Sequence, residues 1–264
     1  MNNDRDLIKG VQFRSTPKAF NPVELGELLE KAYLARRRPT KFTKKTSFAP
    51  SSVGYGKSTC ARFWYHAFTG CVFDESETDA QAVAGMAAGT DAGIRLANIF
   101  EETGLKVQKE VEIRYQDPPI HGYMDLEIDW NGLTIPGEIK TTRQEMFILR
   151  LNSMKPPLYN LFQILIYMKV TGKDIGFLLY ENKNDQTVVI IPIEWTPQNI
   201  KLLDDAFEWM RLVRKTWQDG DVPNRGFPTK RNKNCRQCPV RATCWADDAP
   251  ESTVVIPLMP TPKV

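Results

Sequence analysis

The sequence contains no apolar run approaching the ~20 residues that cross a bilayer; the strongest, LFQILIYMKV (161–170), is short and includes Gln163. Its first residues, MNNDRDLIKG, lack the apolar stretch of a secretory signal. There is no internal repeat. These lacks argue against membrane, secreted and fibrous classes, and the expected setting is cytoplasmic. What is present is ordinary for a globular chain: 264 residues, 42 % hydrophobic and 25 % charged, with a mean hydropathy of −0.39. That length supports one large domain or two small ones with a self-sufficient core.

The net charge is only +3, but it is unevenly spread. Residues 1–45 hold eleven Lys or Arg against five acids, six of the basic ones in RRRPTKFTKK (36–45). Residues 225–241 carry Arg225, Lys230, Arg231, Lys233, Arg236 and Arg241 without an acid, whereas 71–102 has seven acids and one Arg. Two basic clusters suit a phosphate-rich partner or form two solvated loops.

Of five cysteines, three are grouped as C-x2-C-x5-C: Cys235, Cys238 and Cys244. In a reducing compartment such a group points to metal rather than disulfides. Three thiolates leave one position, which a distant cysteine, Cys60 or Cys71, can fill if the chain folds back.

Local patterns predict helices over 21–38, about 59–68 and 78–103, strands over 105–115, 121–130 and 133–141, a helix from Pro156-Pro157 to about Val170, strands over 174–182 and 186–195, and a long helix from Thr196-Pro197 to about Trp217. Asn131-Gly132 marks a hairpin turn. This order implies an α/β domain with a mixed sheet.

A hairpin turning at Asn131-Gly132 pairs residues whose numbers sum to about 263, setting Asp125 opposite Glu138. Alternation puts Asp125 on one face with His121, Tyr123 and Glu127, and Glu138 with Lys140. Two carboxylates ~4 Å apart repel by ~4 kcal/mol at an effective dielectric of 20. Such a pair persists when exposed, when one acid is protonated, or when a hard cation lies between them. The alternative is a structural ion pair on a sheet face, and the D…E-x-K spacing alone does not separate the two.

GYMD (122–125) with EIK (138–140) resembles the PD-(D/E)XK nuclease core, and Gln163 and Tyr167 in NLFQILIY (160–167) resemble the Q-x3-Y element of its RecB-like branch. SSVGYGKSTCARFWY (51–65) and CRQCPVRATC (235–244) resemble that branch's opening segment and C-terminal cysteine group. Together these segments resemble the RecB-like exonucleases with a four-cysteine [4Fe-4S] cluster, including the CRISPR-associated exonuclease family and phage relatives. The resemblance implies a restriction-endonuclease-like core at 51–220, a basic helical extension at 1–50, a cysteine region at 221–246 packed with Cys60, and a Pro-rich tail at 247–264. It implies that Asp125, Glu138 and the Ile139 carbonyl bind Mg2+ or Mn2+, that Lys140 is the catalytic lysine, and that Gln163 and Tyr167 contact DNA. Cys60, Cys235, Cys238 and Cys244 would hold [4Fe-4S], with zinc as the other candidate; Cys71 would be a buried thiol. The implied activity is hydrolysis of DNA, exonucleolytic and on single strands, in a cytoplasm that is the host's if the chain is phage-encoded. There is no helicase motor, so unwinding falls to replication, recombination or CRISPR-type processing partners.

One position departs from the pattern: Gly93 stands where the family has a metal-ligand His. Asp91, Glu110 or water are the candidate substitutes, and His121 is the remaining histidine near the site. The departure keeps open a DNA-binding or recombination-complex subunit with a weakened nuclease site. GYGKST (54–59) imitates a phosphate loop, but Ser51 replaces its first Gly and no strand precedes it; Lys57 is left as a candidate phosphate contact. His66, Phe63 and Trp64 read as packing, as do Tyr159, Phe162, Ile166 and Val170.

Overall fold

The computed structural model describes residues 21–36, 44–73 and 79–260. The central basic run at 37–43, the acidic 74–78 and the last four residues of the Pro-rich tail lie outside them. The chain divides into two compact units, Met1–Lys41 with Glu75–Ala92, and Phe42–Asp74 with Gly93–Val264.

In the first unit, helix α1 (Pro22–Ala35) starts as the sequence predicts. The Asn21 side chain accepts from the amides of Val23 and Glu24, and Pro22 occupies the first turn, where no amide partner is needed.

The second unit begins with two 3-10 turns, Pro50–Ser52 and Gly56–Thr59, where the phosphate-loop decoy would have required a strand, a loop and a helix. Helix α2 (Ala61–Thr69) ends at Gly70, whose φ of +93° makes a left-handed cap. Helix α3 (Ala80–Glu102), which enters this unit at Gly93, then leads into strands β1 (Val107–Tyr115), β2 (Ile120–Trp130) and β3 (Leu133–Thr142). Asn131 and Gly132 have φ of 53° and 86°, the pair of left-handed residues a tight hairpin needs.

Helix α4 (Gln144–Ser153) was not foreseen; helix α5 (Leu158–Thr171) was. Both lie in the crossover that lets β4 (Ile175–Asn182) run parallel to β3, a connection no hairpin can make. β5 (Val188–Glu194) returns antiparallel and helix α6 (Pro197–Gln218) follows. The sheet order is β1-β2-β3-β4-β5. β4 is buried nearly end to end, its IGFLLY run (175–180) followed by the buried polar Glu181 and Asn182, whereas β5 alternates buried and exposed. This is the mixed α/β fold with a central mixed sheet that the sequence implied.

Two apolar clusters cover the sheet. Leu178, Tyr180, Ile191 and Ile193 face α5 and α6 in the larger one; Phe177, Leu179, Leu126, Ile128 and Ile139 pack with Leu96 and Ala97 of α3 in the smaller. Tyr159, expected in the core, is instead exposed at the start of α5, with its ring edge-on to Tyr55 at 5.2 Å. Phe162 and Ile166 are fully buried as expected.

After α6 the chain returns across α2. Short helices α7 (Lys233–Arg236) and α8 (Arg241–Cys244) carry the three grouped cysteines. The Met259 amide then donates to the Thr59 carbonyl, and the Trp209 indole donates to the Pro257 carbonyl.

Candidate active site and cysteine pocket

The β2–β3 ladder has the predicted register, from Trp130 paired with Leu133 to Leu126 paired with Gly137. It stops one step short of Asp125 and Glu138. There the Asp125 Oδ2 accepts from the Ile139 amide at 2.7 Å, so a side chain takes a backbone donor. On the other side of β2, the register with β1 skips Glu110, whose φ is +52°.

The irregularity has a consequence for the faces. Met124 packs in the larger cluster and Leu126 in the smaller, although strict alternation would put both on one face. The expectation that Asp125 shares a face with Tyr123 and His121 is therefore corrected. His121 Nε2 lies 2.8 Å from Glu112 Oε1, and its ring is 5.7 Å from that of Tyr123, which is exposed. It belongs to a surface pair.

Gly137, the last residue of the ladder, faces the Phe177 ring. A Cβ built there would lie 2.3 Å from the ring, so only glycine lets β3 pass this close. The smaller cluster holds β3 from one side while Glu138 projects to the other, toward α5.

Glu138 is 2 % exposed. Its Oε1 accepts from the Lys140 ammonium and from Gln163 Nε2 at 2.7 Å. Its Oε2 is buried without a hydrogen-bond partner among the described residues. Burial raises the carboxyl pKa to about 7, Lys140 opposes that shift, and the Asp125 charge adds to it. Asp125 is likewise pushed above the usual carboxylate range by burial, against the pull of the Ile139 amide and Lys140. The two acids thus share one desolvated place.

Gln163 and Tyr167, one helical turn apart, are 4 % and 0 % exposed. Gln163 Nε2 also donates to the Tyr167 hydroxyl at 2.7 Å, and that hydroxyl donates to the Tyr123 carbonyl at 2.9 Å. Within the chain, the buried polar atoms of this pair grip Glu138 and β2. Burial beside Glu138 also drives the Tyr167 phenol pKa upward, keeping it a neutral donor.

The chemistry of this set fits a hard cation. It offers carboxylate oxygens from adjacent strands, one of them buried and unpartnered, beside an ammonium. Among the described residues, no group of three or more His, Cys, Asp or Glu stands ready to hold an ion. Glu110, one candidate replacement for the missing His, thus does not complete such a group. Gly93 lies in α3 with nothing within 4 Å of where a Cβ would be.

A second site lies at the returning C-terminal segment. Cys60, Cys235, Cys238 and Cys244 line one pocket of about 350 Å3, solvent at its mouth included, with Lys57 and Phe63 on its wall. Gly226 allows the backbone to pass Cys60: a Cβ there would sit 3.1 Å from Sγ and 2.6 Å from Leu258. Burial raises the thiol pKa values of Cys235, Cys238 and Cys244, that of Cys238 to about 12, and the other thiolates in the pocket add to the rise. Thiols crowded in this way are stable as thiolates only around positive charge, so the donor types suit a thiolate-bound metal group, although among the described residues no three of them are already arranged to hold an ion. Cys71 stands apart, half-buried rather than buried as expected, its Sγ 3.2 Å from Thr243 Oγ1. Lys57, considered for a DNA phosphate, lines this pocket.

Sequence reading missed Arg62 and took Arg225 only as part of the basic 225–241 cluster; both flank the pocket. Arg225 Nε donates to the Cys244 carbonyl at 3.0 Å, and its guanidinium lies 4.6 Å from the Trp245 ring centre. Arg62 is 1 % exposed. The available signal was a lone cation inside the apolar ARFWYHAF two residues after Cys60.

No family model matches the chain, and no curated protein does. Among solved structures, SSO0001 is 15 % identical with a TM-score of 0.47, over 84 % of this chain and 96 % of that one. An alkaline exonuclease (LHK-Exo) from Laribacter hongkongensis is 16 % identical with a TM-score of 0.45, over 73 % and 95 %. The same exonuclease in complex with dAMP is 16 % identical with a TM-score of 0.45, over 74 % and 93 %. The likeness to these structures is one of fold.

Proposed function

We propose that this chain is a metal-dependent deoxyribonuclease, acting as an exonuclease on single strands. The observation that carries the reading is the buried, unpartnered Glu138 Oε2 beside Asp125, with Lys140 on the same strand. Asp125, Glu138 and the Ile139 carbonyl are the candidate ligands of Mg2+ or Mn2+. Such a cation, when bound, supplies Lewis acidity toward the phosphodiester and lowers the pKa of a bound water.

The chain's own residues supply the rest. Lys140 presents an ammonium where charge develops on the phosphate oxygens. Asp125 is fixed in direction by the Ile139 amide. Gln163 and Tyr167 are positioning residues that hold Glu138 through its Oε1. The basic residues at 225–241 suit the backbone of a DNA partner. Four thiolates from Cys60, Cys235, Cys238 and Cys244 would hold a structural [4Fe-4S] cluster, or zinc, fastening the returning segment to α2.

The test is cleavage of end-labelled single- and double-stranded DNA with and without Mn2+. Mn2+-dependent release of nucleotides from single strands is expected. Glu138→Ala and Lys140→Ala should each abolish cleavage while DNA binding stays measurable; robust cleavage by both variants overturns the reading. Gly93 in place of His favours a second reading, a DNA-binding or recombination-complex subunit with a weakened site. DNA binding by the unaltered chain with no cleavage under any metal would select it.

A further inference from the structure

Arg62 presents an unbalanced charge. Its guanidinium is 1 % exposed, in the first turn of α2. Nη1 donates to the Pro223 carbonyl at 2.8 Å and Nη2 to the Pro250 carbonyl, while Nε is buried with no hydrogen-bond partner among the described residues. Among the described residues no carboxylate pairs with it; its charged or ionisable surroundings are Cys244, Arg225 and Tyr65. The neighbouring His66 offers no anion, being buried and held neutral, its pKa driven to about 4 by burial and by Arg62 and Arg225. Carbonyl dipoles alone compensate a buried cation poorly, and removing a counter-charge from such a site is severely destabilising.

The anion is available next door. Cys244 is buried, within the electrostatic reach of both Arg62 and Arg225, and belongs to the four-cysteine pocket. Four thiolates around a divalent ion or a [4Fe-4S]2+ core carry a net charge of about −2, which two guanidinium groups match.

We infer that Arg62 and Arg225 are the built-in counter-charge of the cysteine pocket, and that Arg62 couples metal loading to docking of the C-terminal segment. Arg62 is a positioning residue: it ties α2, directly after Cys60, to the segments that bracket the other three cysteines, at Pro223 and Pro250. The loaded pocket neutralises it, and its two carbonyl bonds hold the pocket shut. The inference rests on the thiolate–metal reading of this pocket and is independent of the nuclease reading, since none of its readouts is cleavage.

The experiment uses the full chain, purified anaerobically and loaded with Fe2+ and sulfide or, separately, with Zn2+. Metal per chain, retention against a chelator, and Tm of loaded and stripped protein are measured for the unaltered chain, Arg62→Met, Arg62→Lys and Arg225→Gln. Arg62→Met should weaken metal retention about tenfold or more, the range of outer-shell changes at metal sites. Its Tm loss should be larger in the loaded than in the stripped form, because the stripped pocket gives the cation no partner. Arg62→Lys should recover part of the retention. Arg225→Gln, at a half-buried position, should also release metal faster. Equal Tm losses for Arg62→Met in both forms indicate hydrogen bonding alone and overturn the inference. Unchanged retention in both Arg62→Met and Arg225→Gln, or a chain that takes up neither metal, overturns it as well.

Discussion

Gln163 reaches from α5 to β3 and donates its amide to the Glu138 carboxylate at 2.7 Å, while Oε2 of the same carboxylate has no hydrogen-bond partner among the described residues. One oxygen is thus fixed by the protein and the other is presented.

Gln163→Leu keeps the volume and removes the donor. Cleavage by this variant is expected to fall about 10- to 100-fold, as for lost outer-shell partners of metal ligands. Most of the loss should appear as a higher Mn2+ concentration for half-maximal rate. Tyr167→Phe, which removes the bond to the Tyr123 carbonyl, should lose about 1 kcal/mol of stability with a smaller rate effect. A Mn2+ titration decides; an unshifted midpoint for Gln163→Leu removes Gln163 from the positioning role.

In the metal-free chain, Glu138 titrates near 7 instead of 4.5, chiefly through burial. Because the folded state holds this proton more tightly than the unfolded state, the stabilisation is fully present below about 4.5. It is lost as pH rises through about 7. The shift corresponds to an order of 3 kcal/mol. Glu138→Gln should therefore raise the metal-free Tm at pH 8 and leave it nearly unchanged at pH 4.5. Parallel Tm–pH curves for the two proteins contradict the assignment.

Gly137→Ala places a methyl against the Phe177 ring at a separation no carbon pair tolerates. The expected cost is 1–3 kcal/mol, typical of overpacking. Denaturant unfolding should show the loss partly relieved in Gly137→Ala/Phe177→Leu, since a shorter side chain vacates the clash. Additive losses in the double variant point to another cause.

Cys235→Ser should reduce bound metal sharply, because a hydroxyl replaces a thiolate in the four-cysteine pocket. Cys71→Ser, altering a thiol that faces Thr243 outside that pocket, should leave metal content unchanged. Elemental analysis of the purified variants distinguishes them, and equal metal loss in both rejects Cys71 as the outsider.

The sequence by itself determined the elements and one register. Asn131-Gly132 set the hairpin, and the hairpin set which β3 residue meets which β2 residue, because turn geometry and a two-residue side-chain period leave no freedom. The buried run of β4, the alternation of β5, the Asn21 cap and the long α6 were legible for the same local reason. Helix α4 was not, because a pattern of mixed polarity with five exposed apolar residues between 146 and 154 carries no clean period.

Tertiary structure alone decided where the faces reverse, at Glu110 and Asp125, since a break in alternation depends on the neighbouring strand. It also brought Gln163 and Tyr167 to Glu138: their spacing fixed a shared helical face, but what that face meets inside the chain follows from packing α5 on the sheet. It brought Cys60 to cysteines 175 or more positions away and left Cys71 outside. And it buried Arg62 with no carboxylate beside it among the described residues, a charge balance between distant segments that no local pattern encodes.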